Sequence, residues 1–160
     1  MNDRSQKDNA HPAIWAPFVL VGFVQMTIIL GAAHLLFGVP IMGSVWLLVA
    51  LATLFAAANL AVGYTFSTIA ENQLQAVQMT FFFFLPNILL SGFMFPFRGM
   101  PDWAQAIGEA LPLTHFLRIV RGITLKGIGF ADMQVDVLAL VIFMLVAMGL
   151  ALYRFRRTLD

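Results

Sequence analysis

The chain has 160 residues, no cysteine and a net charge of +1; 61% of its positions are hydrophobic, 11% are charged, and its mean hydropathy is +0.88. A soluble domain is about half apolar and about a quarter charged, so this composition excludes a water-soluble globular protein and requires an integral membrane protein. The missing thiols exclude disulfides and thiolate metal sites, and no basic run supports a nucleic-acid partner.

In chain order, residues 1–12 form a polar N-terminal segment, loose or interfacial, that lacks the short apolar core and cleavage site of a signal peptide. From Ala13 to Phe37 the chain is almost continuously apolar, and about 20 such residues cross the hydrocarbon core. Pro17 falls in the first turns, where a missing N–H is cheapest. Phe37 to Ser44 (FGVPIMGS) is a turn, which makes the first two spans an antiparallel hairpin. The second span, about 44–64, is rich in alanine: Ala52 and Ala56, like Ala57 and Ala61, are four apart, a spacing that lets membrane helices approach closely. A polar interval, Phe66 to Gln78, leads to a third span at about 76–95. Asp132 reads as the N-cap of a last span at about 135–153, which ends in Arg154 to Arg157 (RFRR). The expected fold is therefore an all-α integral membrane protein with about four transmembrane helices, since a backbone in lipid must satisfy its own hydrogen bonds.

Between the last two spans lie two short helical patterns, about 101–111 and 113–125, separated by Pro112. In the first, Pro101 suits the first helical position, and Trp103, Ile107 and Leu111 share a face. In the second, Leu113, Phe116, Leu117 and Val120 form an apolar face, and His115, Arg118 and Arg121 a polar one. Both are too short to span, so they read as a re-entrant or extracellular helical hairpin. With four spans the termini share a side with five cations (Arg4, Lys7, Arg154, Arg156, Arg157), against four on the other (Arg98, Arg118, Arg121, Lys126). The positive-inside rule then places the termini in the cytoplasm.

At this point the residues resemble a known family. Leu90-Ser91-Gly92, Pro96, Met100-Pro101, Pro112-Leu113-Thr114, Arg121-Gly122 and Lys126-Gly127 follow one another as in the C-terminal part of ABC-2 type transporter permeases. The FGVPIMGS turn and the glutamine-rich stretch before the third span are similar too. The resemblance implies the membrane subunit of an ATP-driven exporter of the cell (inner) membrane, with cytoplasmic termini. It implies a cytoplasmic ABC ATPase subunit, carrying the ATP and Mg²⁺, and a second permease copy or paralogue as partners. It also implies that the short hairpin lies at the outer leaflet, near the exit. Such permeases usually have six spans, and this chain starts about where the third would start, so it is expected to be a C-terminal part. The alternative function is a truncated, non-transporting membrane fragment or assembly partner.

The sequence carries no ATP-binding motif: GITLKG, Gly122 to Gly127, lacks the spacing and the following Ser or Thr of a phosphate loop. His11, His34 and His115 are far apart and do not form a metal motif, and Ser91 lacks a G-x-S-x-G setting. The candidates for the transport path or gate are Glu71, Gln75, Gln78, Pro86, Ser91, Gly92, Pro96, Met100, Pro101, Pro112, His115, Arg118, Arg121 and Gly122. Glu71, Gln75 and Gln78 are expected on one helix face, as a polar stripe at the cytoplasmic mouth of the pathway or at the ATPase contact, or as a solvated helix end. Gln25 and Asn59 suit interhelical hydrogen bonds of about 0.6 kcal/mol more than substrate contact. Met79 and Met94 give adaptable packing or simply face lipid. Arg118 and Arg121 either attract anionic groups or anchor the interface, with their heads in water. Pro86 permits a bend, Ser91 and Gly92 a close crossing or a local opening, and Pro96 and Pro101 stop the span and start the hairpin.

Overall fold

A computed structural model describes residues 10–158. Among these residues there is no strand, and helices long and apolar enough to cross a membrane lie at Ala16–Phe37, Val45–Ile69, Gln73–Leu90 and Phe130–Arg154. The all-α membrane architecture expected from composition is present. The chain divides into two compact units, one ending at Pro40 and one running from Ile41.

The first unit is one helix, α1 (Ala10–Phe37), with Pro17 inside its N-terminal turns. None of its spanning stretch is buried, which suits a surface solvated by lipid tails. Past its end the Val39 N–H bonds the Ala33 carbonyl at 3.1 Å, and the His34 ring donates from Nδ1 to the Val39 carbonyl at 3.0 Å.

In the second unit, α2 (Val45–Ile69) starts at Ser44, whose hydroxyl caps the Leu47 N–H. It runs five residues past the expected end at 64. Thr65 and Thr68 do not break it, because their hydroxyls donate to the Ala61 and Thr65 carbonyls within the helix. The expected polar interval from Phe66 to Gln78 therefore shrinks to a connection at Ala70–Asn72. Asn72 caps α3 (Gln73–Leu90) by accepting the Gln75 N–H at 2.9 Å, and Gln75 reaches back to accept the Glu71 N–H at 2.7 Å. Glu71 thus sits in the turn, off the helix, and does not share a helix face with Gln75 and Gln78.

The third helix, by contrast, stops early, at Leu90 rather than near 95. Gly92 takes a left-handed φ of 88°, which a side-chain-bearing residue rarely adopts, and Ser91 accepts the Phe93 N–H. These two residues end the helix, leaving Phe93, Met94 and Phe95 exposed beyond it.

A 3₁₀ turn at Phe97–Gly99 leads into α4 (Asp102–Ala110), for which Pro101 is the N-cap rather than the first helical residue. The α5 helix (Pro112–Arg121) begins on its proline and widens into a π turn, Gly122–Lys126, instead of continuing as α-helix to 125. Asp132 lies in a second 3₁₀ turn, Phe130–Met133, and is not the cap of α6 (Gln134–Thr158); Asp136 is the acidic residue of that first turn.

The most extensive helix contact is between α2 and α6. Leu48, Leu51, Ala58 and Thr65 are buried on α2, and Val137, Leu140, Ala147 and Ala151 on α6, so small residues do allow close approach. Ala58, rather than the alanine pairs at 52/56 and 57/61, is the fully buried one. Ile119, Ile123 and Met133 complete the core where α5 and the following turns join. The Phe55 and Phe116 rings stack at 4.3 Å, tying α5 to α2.

Candidate functional site

The short helices α4 and α5 form the expected hairpin, with the bulky apolar side chains of α4 turned outward. Trp103 and Ile107 are 67% and 46% exposed, while Ala104 and Gly108 are buried. The cause is a close approach: a Cβ at position 108 would lie 2.5 Å from the Leu90 carbonyl oxygen and 2.7 Å from Phe97 Cε2. Only a bare α-carbon lets α4 sit on the end of α3, so the small face turns inward and the bulky one outward. Gly108→Ala is accordingly expected to destabilise this unit by about 1–2 kcal/mol, measured as a lower midpoint of unfolding in detergent. An unchanged midpoint would show that the two neighbours yield freely.

The polar face of α5 anchors the hairpin. Thr114 donates to the Gly108 carbonyl at 2.6 Å across the α4–α5 corner. Arg118 pairs with Glu109 through both guanidinium arms, Nη1 to Oε2 at 3.0 Å and Nη2 to Oε1 at 2.5 Å. Its Nη1 lies 3.6 Å from Asp136 Oδ1 on α6, and its guanidinium stands 4.9 Å over the Phe97 ring. Bidentate pairing is the stronger geometry for arginine and carboxylate. The Arg118 hydrogen bond pulls the Glu109 carboxyl below its usual range, against a smaller opposing effect of burial, helped by the charges of Arg118 and His115. The same hydrogen bond raises Arg118 above its usual value, against a smaller desolvation, and the charges of Glu109 and Asp136 add to it.

His115, only 7% exposed, bonds Asp136 Oδ1 from Nδ1 at 2.8 Å and the Glu109 carbonyl from Nε2 at 2.7 Å. Arg121 donates to the Gly92 carbonyl at 3.1 Å, just past the end of α3. His115, Arg118 and Arg121 thus hold α5 to α4, α6 and the end of α3. The heads of Arg118 and Arg121 are engaged with protein groups, not left wholly to water.

The other candidates have local roles in the same region or lie elsewhere. Pro96 and Met100 frame the 3₁₀ turn: the Pro96 carbonyl accepts from Gly99, and the Met100 carbonyl from the Gln105 side chain. Pro101 receives the first helical N–H groups of α4, Pro112 opens α5, and the buried Gly122 accepts the Ile128 N–H. Ser91 donates to the Ile88 carbonyl at 3.2 Å. Gln75 and Gln78 lie towards the opposite end of α3, about 18–22 Å from Leu90 at 1.5 Å per residue, so the structure does not bring them together with the hairpin.

A groove of about 440 Å³ opens between α2 and α3, lined mainly by Phe55, Val62, Phe66 and Phe83, with Asn59 and Asn87 among its walls. Both asparagines donate within their own helices, to the Phe55 and Phe83 carbonyls. The Asn87 Oδ1 is buried without a hydrogen-bond partner. Pro86 is its neighbour in sequence, on the stretch of α3 where the proline removes one helical bond. Glu109, Asp136 and Asn87 were not singled out from the sequence. The first two are separated by Pro112 and a chain reversal, and no local pattern pairs them. Among the described residues no group of three or more His, Cys, Asp or Glu side chains could hold a metal ion.

Comparison with known proteins gives a consistent family. The ABC-2 type transporter family matches over residues 13–125. A probable multidrug ABC transporter permease, YbhS of Escherichia coli, is 31% identical over 145 residues, covering 90% of this chain and 38% of the relative. The inner membrane transport permease YhhJ of Escherichia coli is 32% identical, over 77% of this chain and 33% of its own length. ABC transporter G family member 20 of Dictyostelium discoideum is 31% identical, over 74% of this chain and 16% of its own. The chain therefore spans well under half the length of these relatives. No solved structure matches it.

Proposed function

Because the chain belongs to the ABC-2 type transporter family, we propose that it forms part of the export pathway for a hydrophobic or amphipathic substrate. The family is a membrane transport component and not itself an enzyme. On this reading a separate cytoplasmic ABC ATPase binds ATP and Mg²⁺ and drives the cycle. A second permease copy or paralogue completes the pathway. The observation that carries the reading is the match of 90% of this chain to a relative named a probable multidrug permease. The mainly apolar groove between α2 and α3, with an asparagine oxygen unpartnered in its wall, suits the proposed substrate class.

The chain is a multi-pass membrane protein. Its further placement, in the cell (inner) membrane with cytoplasmic termini and the α4–α5 hairpin outside, is supported by the cluster Arg154 to Arg157 at the end of the last span. With no native cysteine, topology is directly testable. Single cysteines at Asp102 and at Arg157 are expected to react with an impermeant reagent from opposite faces of sealed vesicles. Reaction of both from one face would rule out the topology.

The functional reading itself is tested by expression with the neighbouring genes. An ATPase subunit is expected to co-purify with the chain, and its hydrolysis in nanodiscs to rise when an amphipathic substrate is added. Failure of any ATPase to associate would leave a membrane partner without transport activity.

A further inference from the structure

The two contacts of His115 require two hydrogens. Nε2 lies 2.7 Å from the backbone carbonyl oxygen of Glu109, and Nδ1 lies 2.8 Å from Asp136 Oδ1. A carbonyl oxygen only accepts, so Nε2 carries an N–H. A neutral imidazole has one N–H and one lone pair. With the N–H directed at Glu109, Nδ1 would present its lone pair to a carboxylate that also has only lone pairs to offer. Two acceptors at 2.8 Å repel. The observed contact needs one proton more than a neutral histidine and an ionised aspartate together possess.

We propose that His115 and Asp136 form a proton-binding site, and that the bound proton fastens the α5 helix of the hairpin to the first turn of α6. The surrounding charges support this. Glu109 on α4 places Oε2 3.8 Å from Nε2, and Arg118 on α5 places Nη1 3.6 Å from the Asp136 oxygen that faces Nδ1. Arg118 favours Asp136 as a carboxylate, which puts the extra proton on the ring. The cluster is then balanced, with two carboxylates against a guanidinium and an imidazolium. Without the proton it carries a net negative charge, with Glu109 and Asp136 set against a single guanidinium. The contact between α5 and α6 therefore depends on that proton. The inference needs only this geometry and stands whether or not the chain transports.

The test uses the full chain in nanodiscs with ¹⁵N-labelled histidine rings, titrated from about pH 5 to about pH 8; the His115 signals are assigned by their loss in His115→Gln. In Asp136→Asn the new amide can donate to an unprotonated Nδ1, so the contact survives without the proton. The expected result is that His115 bears protons on both ring nitrogens, and that Asp136→Asn loses the Nδ1–H signal at a pH where the wild type retains it. Loss of the signal at the same pH in both proteins would overturn the proposal. Amide hydrogen exchange gives a second readout that needs no variant. Protection of α5 is expected to fall as the wild-type ring loses its second proton, and protection that stays constant through that loss would overturn the proposal.

Discussion

Arg118→Met is expected to destabilise the second unit by about 2–3 kcal/mol. Methionine keeps most of the aliphatic stem, so the loss reports the guanidinium, including its contact with the Phe97 ring. An exposed ion pair contributes less than about 1 kcal/mol, and breaking a fully buried one costs about 3–5 kcal/mol. Arg118 lies between these limits: its side chain is 39% exposed, which weakens each interaction by solvent screening, but it serves Glu109 with both arms and Asp136 with one. A double-mutant cycle with Glu109→Gln should show coupling, because the two changes remove the same contact. Strict additivity of the two losses would mean that the pair is only a neighbourly contact.

The same pair sets an acid limit. The carboxyl of Glu109 is held below its usual value, so its contribution is complete above the ordinary glutamate range, about 4.3, and is lost as pH falls through the lower folded value. Arg118, raised from an already high value, stays charged throughout that window. Acid should therefore release α4 from α5, and Glu109→Gln should blunt that part of the acid transition.

The second large effect concerns Pro86. It lies inside α3, where it removes the bond that an N–H at 86 would give to the carbonyl of residue 82 and permits a bend. Its neighbour Asn87 is 5% exposed and lines the groove against α2. If α3 flexes there during the cycle, the groove changes shape with it. Pro86→Ala restores that hydrogen bond and stiffens the helix. In a complete transporter it is expected to lower the transport rate by about tenfold, equivalent to about 1.4 kcal/mol in the limiting step, while membrane insertion and complex assembly stay near wild type. Equal losses of transport and assembly would make the proline a folding requirement alone.

The spans were legible because about 20 consecutive apolar residues leave a chain little choice in a membrane. The end of α2 is not legible in the sequence because Thr65 and Thr68 are polar residues. In the helix they spend their hydroxyls on carbonyls of their own chain. The end of α3 is hidden in the other direction: Phe93 to Phe95 continue the apolar run, but the backbone has already turned at Gly92. The hairpin was readable from Pro101 and Pro112, and its polar face from His115, Arg118 and Arg121. What that face touches was not readable. Asp136 is 21 residues from His115, and Glu109 stands across a helix corner, so only the fold pairs them. The inward turn of Gly108 was hidden for the opposite reason, since a hydrophobic pattern favours Trp103 and Ile107 as the buried face, whereas close backbone packing selects the residue with no side chain.

ATP-driven movement of a substrate across a sealed membrane tests the central claim most directly. The assembled transporter containing this chain, reconstituted with its ATPase outward in proteoliposomes, is predicted to accumulate a fluorescent amphiphile in the lumen when ATP and Mg²⁺ are supplied, and to stop when the ATPase is inactivated. Uptake of the amphiphile that is the same with and without ATP would contradict it.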